Sequence, residues 1–358
     1  MQCRICEGHV LVPLQVDSFL FPTISYAPEF HEYENYICSD CGVVSGQPEP
    51  AEDRLIEHYN TAYRQSRDAH EIDGTLIDAP IDMSITGRAL GRVRNFHSAI
   101  TRNKHKHPEL TPSADEVIVD FGAYSGMFLH GISQLWDCRC IATDYNEKGV
   151  EFARAVFGFE DSFVTSDIYS DTFDEKVKFA TMIHSLEHLR EPLRFLAHLR
   201  ENILKPDGYL YVEVPNLYGI ALCDPTHFFT YSVDSMTYLM ERGGFEVVDI
   251  FTSGFPQTPE FTGQNDIQNL ICLARPLSSP APAKRPAVDV DQIHRQLQAS
   301  YFRHSVANLK RQFRLAARET AKFFYYLLFS VVLEKISPKL MARLARFLGL
   351  RGQGKTGS

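Results

Sequence analysis

Val117-Ile118-Val119-Asp120-Phe121-Gly122-Ala123-Tyr124-Ser125-Gly126 begins apolar, reaches an acid, and turns on glycines ahead of an amphipathic stretch. A strand that turns into a helix in this way lets backbone N–H groups approach a ligand, because glycine carries no Cβ. Alone, the pattern suits a plain structural turn as well as a ligand site. The residues downstream add weight. Asp144 closes the next apolar run and Asp167 the third, in Phe163-Val164-Thr165-Ser166-Asp167-Ile168. Each carboxylate can cap a turn or accept hydrogen bonds from ribose hydroxyls. Three acids at the carboxyl ends of three successive strands point to one site, since ligands of open α/β sheets bind at that edge.

From Glu116 onward, short apolar runs alternate with amphipathic stretches, the sequence form of repeated βα units on a parallel sheet. Strands are expected at 116–121, 139–144, 162–166, 178–184, 208–214, 245–251 and 269–274. Arg190 to Leu204 repeats Leu or Phe at helical spacing and should end at the turn Lys205-Pro206-Asp207-Gly208. The chain divides at its proline-rich stretches. A cysteine-bearing segment covers 1–50, a helical lead-in 51–110, the α/β domain 111–276, a linker 277–289 and a basic helical tail 290–358.

Taken together, these features resemble the class I S-adenosylmethionine-dependent methyltransferases over about residues 115 to 275. The resemblance includes Ile183-His184-Ser185-Leu186-Glu187-His188-Leu189, Leu204-Lys205-Pro206-Asp207-Gly208, Glu213-Val214-Pro215-Asn216 and Glu241-Arg242-Gly243-Gly244-Phe245. It implies a Rossmann-like seven-stranded α/β sheet. It also implies that Gly122 and Gly126 border the methionine moiety, that Asp144 holds the ribose and that Asp167 lies near the adenine amine with Ile168 against the ring, with Asp120, Ala123, Tyr124, Tyr145 and His184 as further cofactor-binding candidates. Tyr124 stands where the family carries its central loop glycine. His184-Ser185-Leu186-Glu187-His188 also spells the metal pattern H-x-x-E-H, which needs both histidines on one helix. With His184 expected at a strand end, Glu187 and His188 are read as shaping the pocket floor or satisfying local backbone groups rather than as metal ligands.

Cys3-x-x-Cys6 and Cys38-x-x-Cys41, with 31 residues between the pairs, supply four thiolates suited to tetrahedral zinc. Two unrelated buried or redox pairs are the competing reading, and His9 and His31 are spare ligands. A zinc ribbon ahead of such a domain resembles the sugar C-methyltransferases of nucleotide-sugar pathways and methyltransferases of surface-glycan clusters, which implies a structural role for the zinc. Cys138 and Cys140 read as small core residues.

Methyl transfer requires an oriented acceptor and, for an alcohol or carbon acid, a proton acceptor. Pro215 to Tyr231 leaves the sheet at its carboxyl edge and carries Asn216, Tyr218 and His227. His227 is similar to the base of the sugar C-methyltransferases, although Thr226 replaces the acid of that family's E-H motif. Tyr59, Tyr63 and Arg64 are candidate contacts to a nucleotide or glycan. A nucleotide-dependent oxidoreductase is disfavoured by the motif after the fourth strand. A zinc-bearing binding protein without turnover is the non-enzymatic alternative.

The 358 residues carry a net charge of -9, with 44% hydrophobic and 23% charged side chains, a globular composition. Residues 291–358 hold 13 basic and 3 acidic groups, so the tail is +10 and the body -19. The acidic body argues against nucleic acid as a partner, while the tail suits an anionic membrane surface or a second copy of the chain. Phe323 to Leu333 is about 16 Å long as a helix, too short for a hydrocarbon layer near 30 Å. Leu340, Met341, Leu344, Phe347 and Leu348 then form one apolar face of an interfacial helix. Met1-Gln2-Cys3-Arg4 lacks the form of an export signal, so a cytoplasmic compartment, peripheral at the inner membrane face, is expected.

Overall fold

The computed structural model describes residues 2–9, 11–14, 34–51, 54–55, 87–219, 226–254, 268–279, 282–300, 302, 313 and 317–322. Tyr59, Tyr63, Arg64, His31, Cys223 and the tail beyond 322 lie outside the described residues. The chain separates into two units, residues 1–300 and 301–358.

In the first unit, β1 (Leu11–Pro13), β2 (Glu34–Cys38) and β3 (Val44–Gln47) form an antiparallel meander. It brings the second cysteine pair back to the first. The seven-stranded sheet comprises β4 (Val117–Phe121), β5 (Arg139–Asp144), β6 (Phe163–Val164), β7 (Val177–Ile183), β8 (Leu204–Pro215), β10 (Phe245–Ser253) and β11 (Asn269–Pro276). Its order is β10-β11-β8-β7-β4-β5-β6. The five strands from β8 to β6 are parallel, whereas β11 runs antiparallel to both β8 and β10. The central strands read as unbroken apolar runs because both faces are covered: every residue of β4 and β7 is buried. The remaining short strand, β9 (Phe229–Thr230), pairs with β3 and becomes the fourth strand of the N-terminal sheet.

Helix α1 (Gly87–Asn103) packs on one face through Phe96, whose ring meets Phe128, Trp136, Phe179 and Tyr211 at centroid distances of 5.0 to 6.0 Å. Helix α2 (Met127–Ser133) follows the glycine turn. Helix α3 (Glu147–Phe157) starts where the Asn146 side chain accepts the Gly149 N–H and stops at Gly158, in the left-handed region with φ +72°. On the opposite face lie α4 (Pro192–His198) and α5 (Val233–Arg242), the latter begun by a reciprocal Ser232–Ser235 capping box.

Three expectations change in detail. The helix expected over 190–204 is α4 followed by a π-helical turn, Leu199–Ile203. The turn expected at Lys205 to Gly208 is a bulge within β8: Val177 pairs with Leu204 but Phe179 with Tyr209, so three extra residues loop out beside a continuous ladder. Buried Lys178 fixes that bulge by donating to the Asp207 carboxylate at 2.9 Å and to its carbonyl at 2.8 Å. Strand β6 spans two residues rather than five, which leaves Asp167 in the turn beyond it. Cys140 is buried in the aromatic core and Cys138 packs beside it. No helix among the described residues is long and apolar enough to cross a membrane.

Candidate active site

The glycine loop after β4 is held by the next strand. Gly122 N–H and Ala123 N–H both donate to the Thr143 carbonyl, at 2.9 and 3.0 Å, and Tyr124 N–H donates to the Asp144 carboxylate at 2.8 Å. Asp144 also accepts the Asn146 N–H at 2.7 Å. It therefore ties β5 to the loop and to the start of α3. Gly122 and Gly126 adopt φ near +75°, the left-handed region that glycine enters without steric cost. A Cβ on Gly122 would stand 2.3 Å from the Ser185 hydroxyl, so this loop is closely crossed by the chain that leaves β7. Tyr124 shares the left-handed region at φ +51°, which accounts for a glycine at the equivalent place in the resembling family.

Asp120 is 1% exposed, and Thr181 donates to it at 2.7 Å. Burial pushes its pKa up to about 7, against the pull of Thr181 and Arg92. At the next strand ends, the Tyr145 hydroxyl accepts the Ile168 N–H at 3.4 Å, and Asp167 accepts the Tyr169 N–H and the Ser170 hydroxyl at 3.1 and 3.0 Å. Tyr145, Asp167 and Ile168 are thus gathered at one place, with Ile168 buried and Tyr145 exposed. The loop, Asp144 and this group share the carboxyl edge of the sheet. They form a cradle of backbone turns and carboxylates suited to a nucleoside and an amino-acid end.

His184 follows β7 with φ +55° and lies between two buried carboxylates, 3.5 Å from Glu187 and 3.7 Å from Glu213. Burial alone would lower its pKa, but the two carboxylates raise it. Burial likewise opposes ionisation of Glu187, yet His184 above all, with His188 and His227, brings its pKa down to about 2. Leu186–His188 is one turn of 3-10 helix, so His184 and His188 do not share an α-helical face.

The acceptor-side residues arrive on the segment after β8. Asn216 pairs with Tyr231 in an isolated bridge, and Tyr218 lies in the turn Leu217–Gly219, where its carbonyl accepts the Ser300 hydroxyl. Ser300 belongs to a helix over 290–300. His227 packs edge-on against His188 with ring centroids 4.8 Å apart, and the His188 Nδ1 lies 2.9 Å from the Thr226 carbonyl. Sequence reading placed Glu187 and His188 on the pocket floor but did not join them to His227. The Glu187-His188 letters were a sign, while the pairing of β9 with β3 that delivers His227 was not legible.

The four cysteines meet the requirements of a thiolate metal centre. All are buried and none forms a disulfide. Their sulfurs lie within 4.8 Å of one another, with Cys6–Cys38 at 3.4 Å and Cys3–Cys41 at 3.7 Å. Tetrahedral zinc at about 2.3 Å from each sulfur sets them about 3.8 Å apart. The turns Glu7 N–H to Cys3 carbonyl and Gly42 N–H to Cys38 carbonyl give each pair the form of a knuckle.

Residues 94–250 match the family described as Methyltransferase domain. The chain carries a methyltransferase domain over the glycine loop, the strand-end acids and the acceptor segment, and its enzyme class is methyltransferase. Solved structures similar to the chain include a SAM-dependent methyltransferase from Aquifex aeolicus, at 20% identity over 48% of this chain and 88% of that one, with a TM-score of 0.37. Another is a S-adenosylmethionine-dependent methyltransferase from Mesorhizobium loti, at 15% identity over 48% and 96%, TM-score 0.39. A third, from Clostridium acetobutylicum, is 10% identical over 63% and 100%, TM-score 0.39. No curated protein matches the chain.

Proposed function

We propose that this chain transfers a methyl group from S-adenosylmethionine to a nucleotide sugar or glycan precursor, with zinc held by Cys3, Cys6, Cys38 and Cys41 as a structural ion. The observation that carries the reading is the convergence of the Gly122–Gly126 turn, Asp144 and the Tyr145–Asp167–Ile168 group at one edge of the sheet, with His227 packed on His188, three residues after the Ser185 that crosses Gly122. When bound, the cofactor supplies a methyl group on a sulfonium, which leaves by in-line displacement. The loop and His184 border its methionine end, Asp144 accepts from the ribose hydroxyls, and Asp167 and Ile168 border the adenine. Asn216 and Tyr218 line the acceptor side, and His227 deprotonates or orients the acceptor.

The test is transfer of labelled methyl groups to a panel of nucleotide sugars by the zinc-loaded full chain. A methylated product lost in His227→Asn, with cofactor binding retained, supports the reading. Full turnover by His227→Asn would remove His227 from the mechanism. For the basic segment 290–358 we propose contact with an anionic bilayer. Deleting it should abolish binding to anionic vesicles, and unchanged binding would exclude that contact.

A further inference from the structure

Two glutamates are completely buried at the carboxyl edge of the sheet, and the fold treats them differently. Glu213 accepts from Asn95 at 3.0 Å, Asn269 at 2.8 Å and the Tyr211 hydroxyl at 3.3 Å, donors that fix it as a structural group. Glu187 is 1% exposed, and neither of its oxygens accepts a hydrogen bond from the described residues. Its nearest ionisable neighbours are imidazoles: His184 Nδ1 at 3.5 Å and His188 Nε2 at 4.0 Å, both measured to Oε1. A buried carboxylate without donors requires a compensating positive charge.

The tautomer of His188 shows which of its ring nitrogens faces that carboxylate. A carbonyl only accepts, so the 2.9 Å contact to the Thr226 oxygen places the proton on Nδ1. In the neutral ring the lone pair of Nε2 then faces Glu187. An imidazole fixed through Nδ1–H to a backbone carbonyl, with Nε2 presented to an acid, is the usual arrangement of a metal-binding histidine. His227 completes the group, since a carboxylate oxygen of Glu187 and one ring nitrogen each of His188 and His227 lie within 4.8 Å of one another. Donors about 2.0 to 2.2 Å from a shared ion stand about 3 to 3.5 Å apart, which side-chain rotations of about 1 Å would reach.

We propose that Glu187, His188 and His227 bind a divalent transition-metal cation beside the cofactor cradle, and that the methyl acceptor is a hydroxyl group taken as a further ligand of that cation. The site is separate from the four cysteines. It is not the H-x-x-E-H helix pair either, because the third ligand comes from the acceptor segment instead of from His184. Two imidazoles and a carboxylate suit such an ion and leave coordination positions open. The site adjoins the cradle: Ser185, two residues before Glu187, is the residue that crosses Gly122. This rests on the methyltransferase reading above and specifies how His227 orients the acceptor. The cation lowers the pKa of the acceptor hydroxyl, whose proton passes to solvent. The oxygen then forms the O–CH3 bond as the CH3–S bond breaks, and the sulfonium becomes a neutral thioether.

The experiment titrates Co2+ into the full chain carrying a single equivalent of zinc, the amount the four cysteines take up, reading visible absorption and stoichiometry, with S-adenosylmethionine binding measured in parallel. The expected result is one Co2+ per chain with no thiolate charge-transfer band, because zinc outcompetes cobalt at the cysteines. Affinity should fall at least tenfold in both Glu187→Gln and His227→Asn while zinc content and S-adenosylmethionine binding are kept. The retained zinc reports that each variant is folded, and His227→Asn, at a part-exposed position, serves should the buried Glu187→Gln lose its fold. Absence of Co2+ uptake by the wild type, or uptake unchanged in the variants, overturns the metal site and leaves the methyltransferase reading standing. Loss of S-adenosylmethionine binding with Co2+ uptake intact would instead overturn that reading.

Discussion

At the scale of the residue, Gly122 and Asp120 show how closely the cradle is specified. Gly122→Ala sets a methyl group 2.3 Å from the Ser185 hydroxyl at a backbone angle of +76°, and neither conflict can relax alone. A cost of about 1 to 3 kcal/mol follows, read as a lower urea midpoint. Asp120 gives a pH dependence. Its pKa is about 7 in the folded chain, against about 4 when unfolded, so the native state binds the proton more tightly. From this group, stability is greatest below about pH 4, falls as pH rises to 7 and is level above, a loss of up to about 4 kcal/mol. Asp120→Asn should therefore reduce the fall in urea midpoint between pH 5 and pH 8, and an unchanged fall would contradict the assignment. The acids were legible in the sequence because each closes an apolar run. The Glu187–His188–His227 group was not, because its members come together through strand pairing that leaves no local pattern.

At the scale of the element, β9 links the two sheets. Phe229 and Thr230 pair with Ser45 and Val44, next to the cysteine knuckle, and His227 lies two residues before that pairing. Removing zinc should loosen β3 and β9 together. Hydrogen exchange after chelation is expected to accelerate at Val44 to Gln47 and at Phe229 and Thr230, while β4 and β5 remain protected. Equal acceleration throughout would mean that the ribbon supports the whole fold and not this segment in particular. A strand of two residues has too few positions to show an alternating pattern, so β9 could not be read from sequence. The same reason explains the overlong expectation for β6, where Thr165 and Ser166 extend the run without entering the ladder. Strand β5, with its full apolar run, was legible to the residue.

At the scale of the whole molecule, stability rests on two layers packed against one sheet. Phe96 anchors α1 with four aromatic contacts at no exposure. Phe96→Ala should cost about 3 to 5 kcal/mol, seen as a lower urea midpoint with the four-cysteine zinc retained. The cofactor reading depends on the edge of this sheet, and it is tested most directly by calorimetry of S-adenosylmethionine on the zinc-loaded full chain, with NAD as the control ligand. Saturable binding of one equivalent, abolished by Asp144→Ala and not given by NAD, is the predicted result. A folded, zinc-loaded chain that takes up no S-adenosylmethionine would contradict the account and leave a methyltransferase fold acting as a binding protein.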